Sequence, residues 1–362
     1  MKPLVVLVLG LWMPVVSFAQ KTYTVGFETR SFADDARRNY ENTGPRPLET
    51  VIWYPAAEGS VASVPSEPDS PVKGMFVIEP NAPRALLPAG SRRFPLILLS
   101  HGSSSLAYSL GWLGWFLASH GYIVAGVNHH GNTAAEPKML PQGLMLEWER
   151  PRDLSVLIDK MLADPKFGPR IDRARIGAAG HSAGGATVIE IAGGTPDAAG
   201  FCSSHPGDAN CNLPPIFQQW IADYNRIKDT DPVIQDSLRR QHLSRRDPRV
   251  KAVFAMAPAI GFAFSEENLR SIHVPVFIAA GAGDVVVDPK TNAERYARFI
   301  PGAQLKIFPG AANHFIFSTL CKPAGERALD SCHSDPGVDR GQIHLQTEDL
   351  ALSFFQKNLK AN

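Results

Sequence analysis

The segment Gly180-His181-Ser182-Ala183-Gly184-Gly185 reads G-x-S-x-G, and its neighbours are as informative as the motif itself. The run 174–179 before it is short and apolar like a buried strand, and residues 183–191 after it are small and apolar like a buried helix. Such a strand–turn–helix context holds a serine in a strained turn with its hydroxyl exposed. Side chains at 180 and 184 would collide in this turn, so glycine fits there. We interpret Ser182 as a nucleophile rather than as part of an ordinary Gly/Ser turn.

A serine hydroxyl is a weak nucleophile at neutral pH, so Ser182 requires a base and an acid that orients the base. In hydrolases with this turn, the side chains follow the order serine, acid, histidine along the chain. Asp284 comes just after the apolar run 275–280, at the carboxyl end of a predicted strand, where ligands bind in open α/β sheets. Asp288 is the alternative acid, and either aspartate could instead cap the next helix.

The candidate base is His314, which follows the last predicted core strand and precedes the tail of the chain. His333 and His344 are the alternatives, and a surface position in a loop is the competing interpretation for each histidine.

Oxyanion donors are expected to be backbone N–H groups, because these are fixed in place before charge develops. One is the N–H of Ala183, the residue after the nucleophile. The second should come from the loop after the strand that ends at Ser100, and His101-Gly102-Ser103 occupies that place.

Strand-like and helix-like segments alternate along most of the chain. Apolar runs at 94–100, 122–127, 250–256 and 304–308 are separated by amphipathic or small-residue helices, such as 149–163. This alternation predicts a mostly parallel central sheet with helices on both faces. Residues 193–249 interrupt it with a polar, proline-containing stretch, which we expect to be a small cap or lid inserted after the helix that follows Ser182.

Length and composition agree with a globular enzyme. The chain has 362 residues, of which 44% are hydrophobic and 20% charged, and we expect a single domain over residues 20–362. Residues 1–19 resemble a secretory leader, with Lys2, a short apolar run and small residues before a cleavage site near Ala19. A retained N-terminal anchor is the alternative. Since no later stretch is apolar enough to span a bilayer, we expect a secreted or periplasmic protein. Removal of Lys2 leaves equal numbers of basic and acidic residues, which argues against a nucleic-acid partner.

An even number of cysteines behind a leader favours disulfides, and the spacing is not that of a zinc site. We expect local pairs, Cys202 with Cys211 and Cys321 with Cys332, because turn-forming residues separate the members of each pair. Long links between the two segments are the alternative.

Two further clusters have structural interpretations. The pair His129 and His130 could line the site or bind a metal, but loop packing is the more frequent role of such a pair, so no metal or organic cofactor is expected. Arg152 and Asp153 are expected to form a structural ion pair.

Taken together, these motifs resemble the predicted dienelactone-hydrolase group of serine α/β-hydrolases, which is related to platelet-activating-factor acetylhydrolases. The resemblance implies an α/β-hydrolase fold, Ser182 as nucleophile, Asp284 as acid, His314 as base, and oxyanion donors at Ser103 and Ala183. Dienelactone hydrolases in the strict sense have a cysteine nucleophile, and this chain has serine. The dienelactone name therefore does not indicate the substrate, whereas the acetylhydrolase relation suggests short acyl esters. The motifs that carry the resemblance are 99–102, 128–133, 150–154, 180–185, 281–284 and 313–314.

The sequence therefore predicts an exported serine hydrolase that cleaves small carboxylic esters through an acyl-enzyme on Ser182. An amide or peptide hydrolase with the same residues and a non-catalytic binding protein on a hydrolase scaffold are the alternatives. The oligomeric state is left open by the sequence.

Overall fold

A computed structural model describes residues 22–63, 72–208, 211, 215–333 and 335–360 of the chain. The predicted leader, residues 1–19, lies outside this part. Within the described residues, no helix is both long enough and apolar enough to cross a membrane.

The fold is built on one nine-stranded sheet in the order β3-β1-β2-β5-β4-β6-β7-β8-β9. Pairings from β5 to β9 are parallel, whereas β2 is antiparallel to both β1 and β5. The strands are β1 Val25–Arg38, β2 Pro45–Pro55, β3 Ala82–Pro83, β4 Phe94–Ser100, β5 Ile123–Val127, β6 Ile171–His181, β7 Val250–Met256, β8 Val276–Gly281 and β9 Gln304–Phe308.

Helices cover both faces of this sheet, which confirms the predicted α/β-hydrolase fold. One apolar core lies between the sheet and α3, α4 and α9, and the other between the sheet and α1 and α11. The helices are α1 Gly111–Ser119, α2 Pro141–Met145, α3 Arg150–Ala163, α4 Ala183–Ile191, α5 Ala198–Ser204, α6 Pro215–Ile227, α7 Pro232–Leu238, α8 Glu266–Arg270, α9 Ala293–Phe299, α10 Pro323–Ala328 and α11 Arg340–Asn358.

The central strands bring three chain segments to one edge of the sheet. All seven residues of β4 are buried, as expected for a strand covered on both faces. Ser100, the last residue of β4, pairs with Gly180 of β6 on one side and with Val127 of β5 on the other. The loops that begin at residues 101, 128 and 182 therefore start side by side.

Buried charges lie at the end of the β1–β2 hairpin. Arg37 and Arg46 are buried there, and both bind the Asp153 carboxylate at the start of α3, with shortest distances of 2.6 and 2.8 Å. The expected Arg152–Asp153 pair is wrong, since Arg152 instead lies 4.0 Å from Asp34. Consecutive residues of a helix point in directions about 100° apart, so neighbours in sequence do not face each other.

Both local disulfides are present, Cys202 with Cys211 and Cys321 with Cys332, as the spacing predicts. The second closes a loop within the tail, and beside it Lys322 N–H donates to Met75 O at 2.8 Å, which connects the tail to the segment after residue 72. Helices α5, α6 and α7 lie between α4 and β7, where the sequence predicts an insertion. Tyr224 and Ile234 of this segment pack with Tyr40, Leu140 and Leu146 in a small apolar cluster that is separate from the two main cores.

Candidate active site

Ser182 occupies the turn between β6 and α4 in a conformation that residues other than glycine rarely adopt. Its φ and ψ are 58° and −121°. The backbone around it is held in place, because Ser182 N–H donates to Met256 O at 2.9 Å and Ser182 O accepts from Ala259 N–H at 3.1 Å. Strain of this kind persists only where the surroundings impose it, and it is concentrated at functional sites.

The glycines around Ser182 are required by steric contact. A Cβ at Gly180 would collide with the carbonyl oxygen of Gly184, and one at Gly184 would collide with that of Ser100. A Cβ at Gly185 would lie 2.8 Å from Pro258 Cα. The steric prediction for this turn is therefore confirmed.

Asp284 and His314 are in direct contact, although thirty residues separate them. His314 Nδ1 lies 2.7 Å from Asp284 Oδ2, and both residues are 4% exposed. The other carboxylate oxygen, Oδ1, accepts from the N–H groups of Val286 and Val287 at 2.9 and 2.7 Å. An ionised carboxylate can only accept, so Nδ1 carries the proton, and Nε2 of a neutral His314 is left as an acceptor.

The alternative residues are placed differently. Asp288 is exposed, and its carboxylate accepts from Lys290 N–H at 2.9 Å in the turn before α9. His333 is exposed in the tail. His344 is buried on α11 and stacks on the indole of Trp112, with ring centroids 4.0 Å apart.

His181 connects the turn at Ser182 to the loop of His314, a contact that sequence reasoning missed. Its ring lies 4.8 Å from the His314 ring, and its Nε2 donates to His314 O at 3.0 Å. Burial, together with the nearby His314, lowers the pKa of His181 to about 3, so the ring is neutral and donates through one nitrogen. The x position of G-x-S-x-G gave no signal for this role, because the partner lies 133 residues away.

The proposed oxyanion segment lies against the serine. An ideal Cβ on Gly102 would be 3.3 Å from Ser182 Cβ, so the loop 101–103 packs directly on the turn. Ala183 begins α4, where the first backbone N–H groups have no partner within the helix. Glu147 lies near the Ser103 hydroxyl, and burial raises the pKa of this glutamate despite that hydroxyl and the Arg150 charge.

His129 and His130 pack within the loop after β5. His129 bonds to Ser100 Oγ through Nε2 and to Asp153 through Nδ1, each at 2.9 Å. His130 stacks on Tyr40 at a centroid distance of 5.2 Å. Among the described residues, no cluster of three or more acidic, histidine or cysteine side chains is arranged to hold a metal ion.

Known proteins resemble this chain over parts of their length. Cutinase est1 of Thermobifida alba is 30% identical over 112 residues, which cover 30% of this chain and 34% of that protein. The bis(hydroxyethyl) terephthalate hydrolase of Streptomyces coelicolor is 28% identical over 174 residues, 48% of this chain and 50% of that protein. The chain thus spans about a third of the first relative and half of the second.

Fold and family are shared more extensively. A ferulic acid esterase from Streptomyces cinnamoneus superposes with a TM-score of 0.62 at 20% identity, covering 93% of this chain and 90% of that one, which shows a common fold. Residues 92–318, more than half of the chain, match the family described as serine aminopeptidase, S33. This match includes Ser182, Asp284 and His314, and the chain belongs to the serine aminopeptidase S33 family of α/β-hydrolases.

Proposed function

We propose that this protein is an exported serine hydrolase that cleaves carboxylic esters through an acyl-enzyme on Ser182. The observation that carries the proposal is the 2.7 Å bond between Asp284 and His314, in a loop that His181 ties to the turn of Ser182. This bond fixes the tautomer in which His314 Nε2 can accept a proton. Strain at Ser182 and burial of the acid agree with the same role.

The proposed reaction has two halves. Ser182 Oγ attacks the ester carbonyl while His314 Nε2 takes its proton, and the N–H groups of Ser103 and Ala183 hold the tetrahedral oxyanion. The intermediate collapses, and His314 returns the proton to the leaving alkoxide. Water then attacks the acyl-enzyme with His314 again as base, which releases the acid and restores Ser182.

Ester substrates are supported by the names of the similar proteins, which are cutinases and a terephthalate ester hydrolase. The resemblance to the dienelactone-hydrolase and acetylhydrolase group favours short acyl chains. Helices α5–α7 are the proposed cap over the site. Export is supported by the leader-like residues 1–19 and by the two disulfides, because disulfides persist outside the reducing cytosol.

A second candidate is cleavage of amides or peptides by the same residues, which the family description as a serine aminopeptidase favours. Paired substrates with one acyl group, a nitrophenyl ester and a nitroanilide, separate the two. The ester proposal predicts that kcat/KM for the ester exceeds that for the anilide by more than the intrinsic difference in their reactivity. Preferential cleavage of the anilide would replace the ester assignment with the amidase.

The experiment that tests the proposed function is turnover of nitrophenyl esters of rising acyl length by purified wild type and Ser182→Ala. We expect turnover to be greatest for short acyl chains and kcat to fall by roughly 10⁴–10⁶ in Ser182→Ala. Circular dichroism confirms that the variant is folded. If wild type turns over neither an ester of the series nor the nitroanilide, the chain is the binding protein on a hydrolase scaffold.

A further inference from the structure

The loop proposed to supply an oxyanion donor is held from behind by a chain of buried hydrogen bonds. His101, 0% exposed, lies behind the peptide that joins Gly102 to Ser103. His101 Nδ1 is 2.7 Å from Gly102 O, and His101 Nε2 is 3.1 Å from His129 N, the donor of that bond. The imidazole therefore bridges the loop after β4 and the loop after β5.

The bonds of His101 are compatible with one protonation state only. Nε2 accepts from a backbone N–H, so it carries no proton, and Nδ1 must be the donor to Gly102 O. Burial, with Arg150 and His129 nearby, holds the pKa of His101 well below its ordinary value, so the ring is neutral as this pattern requires.

The orientation of one carbonyl sets the orientation of the next N–H. A trans peptide is planar, and its C=O and N–H point in opposite directions. Gly102 O accepts from His101 Nδ1 and, at 3.2 Å, from Ser105 N–H, and these donors therefore turn Ser103 N–H towards the opposite side of that peptide. Because Gly102 packs on Ser182, the direction of the Ser103 N–H determines whether it can donate to an oxyanion that forms at Ser182.

His129 is fixed in the same way by another buried group, Asp153. Its Nδ1 donates to Asp153 Oδ2, and its Nε2 accepts from Ser100 Oγ, each at 2.9 Å. Although burial alone would raise the pKa of Asp153, Arg46 and Arg37 hold it well below its usual range, so the carboxylate is ionised. Burial lowers the pKa of His129 to about 3, and the ring is a neutral Nδ1–H imidazole.

Two further contacts tie the same loop to its surroundings. Arg150 Nη2, at the start of α3, donates to His101 O, and Asn132 Oδ1 accepts from Ser104 N–H at 2.7 Å. Ser104 has a positive φ of 57°, a conformation that such a contact helps to maintain. The loop 128–133 thus contacts the loop 101–104 at both of its ends.

We propose that His101, His129 and Asp153 are positioning residues that direct the Ser103 N–H towards the oxyanion. Both imidazoles are neutral, and hydrogen bonds hold each of them in a single tautomer. This inference rests on the proposed function. None of the three side chains reacts with substrate. The ionised Asp153, which binds Arg37 and Arg46, is the last member of this series of hydrogen bonds.

The test compares His101→Leu, which removes the donor, with His101→Asn, whose amide N–H can occupy the place of Nδ1. We expect His101→Leu and His129→Leu to lower kcat on a nitrophenyl ester roughly 10–100-fold, with KM within about twofold of wild type. The Ki for a trifluoromethyl ketone, which forms a tetrahedral adduct with the serine, should rise by a similar factor. His101→Asn should recover kcat to within about fivefold of wild type.

Glu28→Gln is the matched control. Glu28 is also a buried carboxylate, bonded to Tyr54 and Lys166, but it lies on β1, in register with the middle of β5 rather than with its carboxyl end. We expect this variant to unfold at lower urea concentration and to keep the wild-type kcat and ketone Ki.

Two results would overturn the proposal. One is a folded His101→Leu whose kcat and ketone Ki are within twofold of wild type. The other is a His101→Asn whose kcat is no higher than that of His101→Leu. If His129→Leu fails to fold, the comparison of His101→Leu with His101→Asn tests the proposal. Wild type that neither turns over esters nor binds the ketone overturns the proposed function as well, whereas an active wild type with unaffected His101→Leu overturns the positioning role alone.

Discussion

Ser182 shows how far local sterics determine this site. The two glycines that flank it are needed because their α-carbons face carbonyl oxygens at van der Waals distance, and no rotamer can relieve a Cβ placed there. The clash at Gly180 arises within the six-residue turn, whereas the clash at Gly184 involves Ser100 of β4, and the motif was sufficient to predict both glycines. The acid and the base proposed for Ser182 were predicted from their order along the chain and from their positions after predicted strands, which is a less specific signal.

Replacement of Gly184 by alanine tests the steric argument. Gly184→Ala should lower the free energy of unfolding by about 3 kcal/mol or more, because the new methyl meets the Ser100 carbonyl and the turn must open. Gly44→Ala is the control, since a Cβ there has no atom within 4 Å. Urea unfolding measures both, and equal midpoints for the two variants would contradict the argument.

The choice of acid is tested by a pair of isosteric changes. Asp284→Asn should reduce kcat by roughly 10²–10⁴, because an amide no longer selects the His314 tautomer with a free Nε2. Asp288→Asn should leave kcat within about twofold, since Asp288 is exposed and holds only its own turn. Ester turnover by both purified variants is the measurement. If Asp288→Asn is the more damaging change, the acid has been misassigned.

At the scale of elements, three segments meet where β4, β5 and β6 end. The strands themselves could be predicted, because β4, β5 and the second half of β6 are continuous apolar runs. The bonds between the loops could not, because Ser100, His129 and Asp153 belong to different elements and their side-chain directions depend on register. The pair Arg152 and Asp153 shows the same difficulty, since adjacency in sequence suggested a contact that helix geometry excludes.

The disulfide Cys321–Cys332 is expected to stabilise one element rather than the fold. It closes a loop with a sequence separation of 11, for which chain entropy gives about 2.5–3 kcal/mol. The double variant Cys321→Ser, Cys332→Ser should therefore stay folded but show faster amide hydrogen exchange near residues 72–78, which pair with this tail. Exchange that rises equally in β4 and β6 would mean that the disulfide stabilises the whole domain.

At the scale of the whole molecule, buried neutral histidines link stability to pH. Burial lowers the pKa of His129 and His181 to about 3 and that of His344 to about 4, and it holds the pKa of His101 well below its ordinary value. In the unfolded chain these groups titrate near 6.5. As pH falls through 6.5, the unfolded state therefore binds protons that the folded state excludes, and stability that is present above 6.5 is lost.

Each of these histidines should consequently lower the free energy of unfolding by about 1.2 kcal/mol between pH 7 and pH 5.5. Glu348 acts in the opposite direction because burial raises its pKa to about 7, and so do Glu190 and Glu147, whose pKa values burial also raises. His344→Phe preserves the stack on Trp112 and removes one titrating group. Between pH 7 and pH 5.5, its free energy of unfolding should therefore rise by about 1.2 kcal/mol relative to that of wild type. Urea unfolding at the two pH values checks this. A His344→Phe curve parallel to that of wild type would show that His344 is not a neutral buried group.

The central claim is that Ser182 is the nucleophile, and the mass of a covalent adduct tests it most directly. Wild type treated with a fluorophosphonate should gain one phosphonyl group, and peptide mapping should place it on Ser182, whereas Ser182→Ala should gain none. The adduct should form slowly in His314→Ala, because the base that activates the hydroxyl is absent. A single adduct on another residue, or equal labelling of folded Ser182→Ala, would contradict the account.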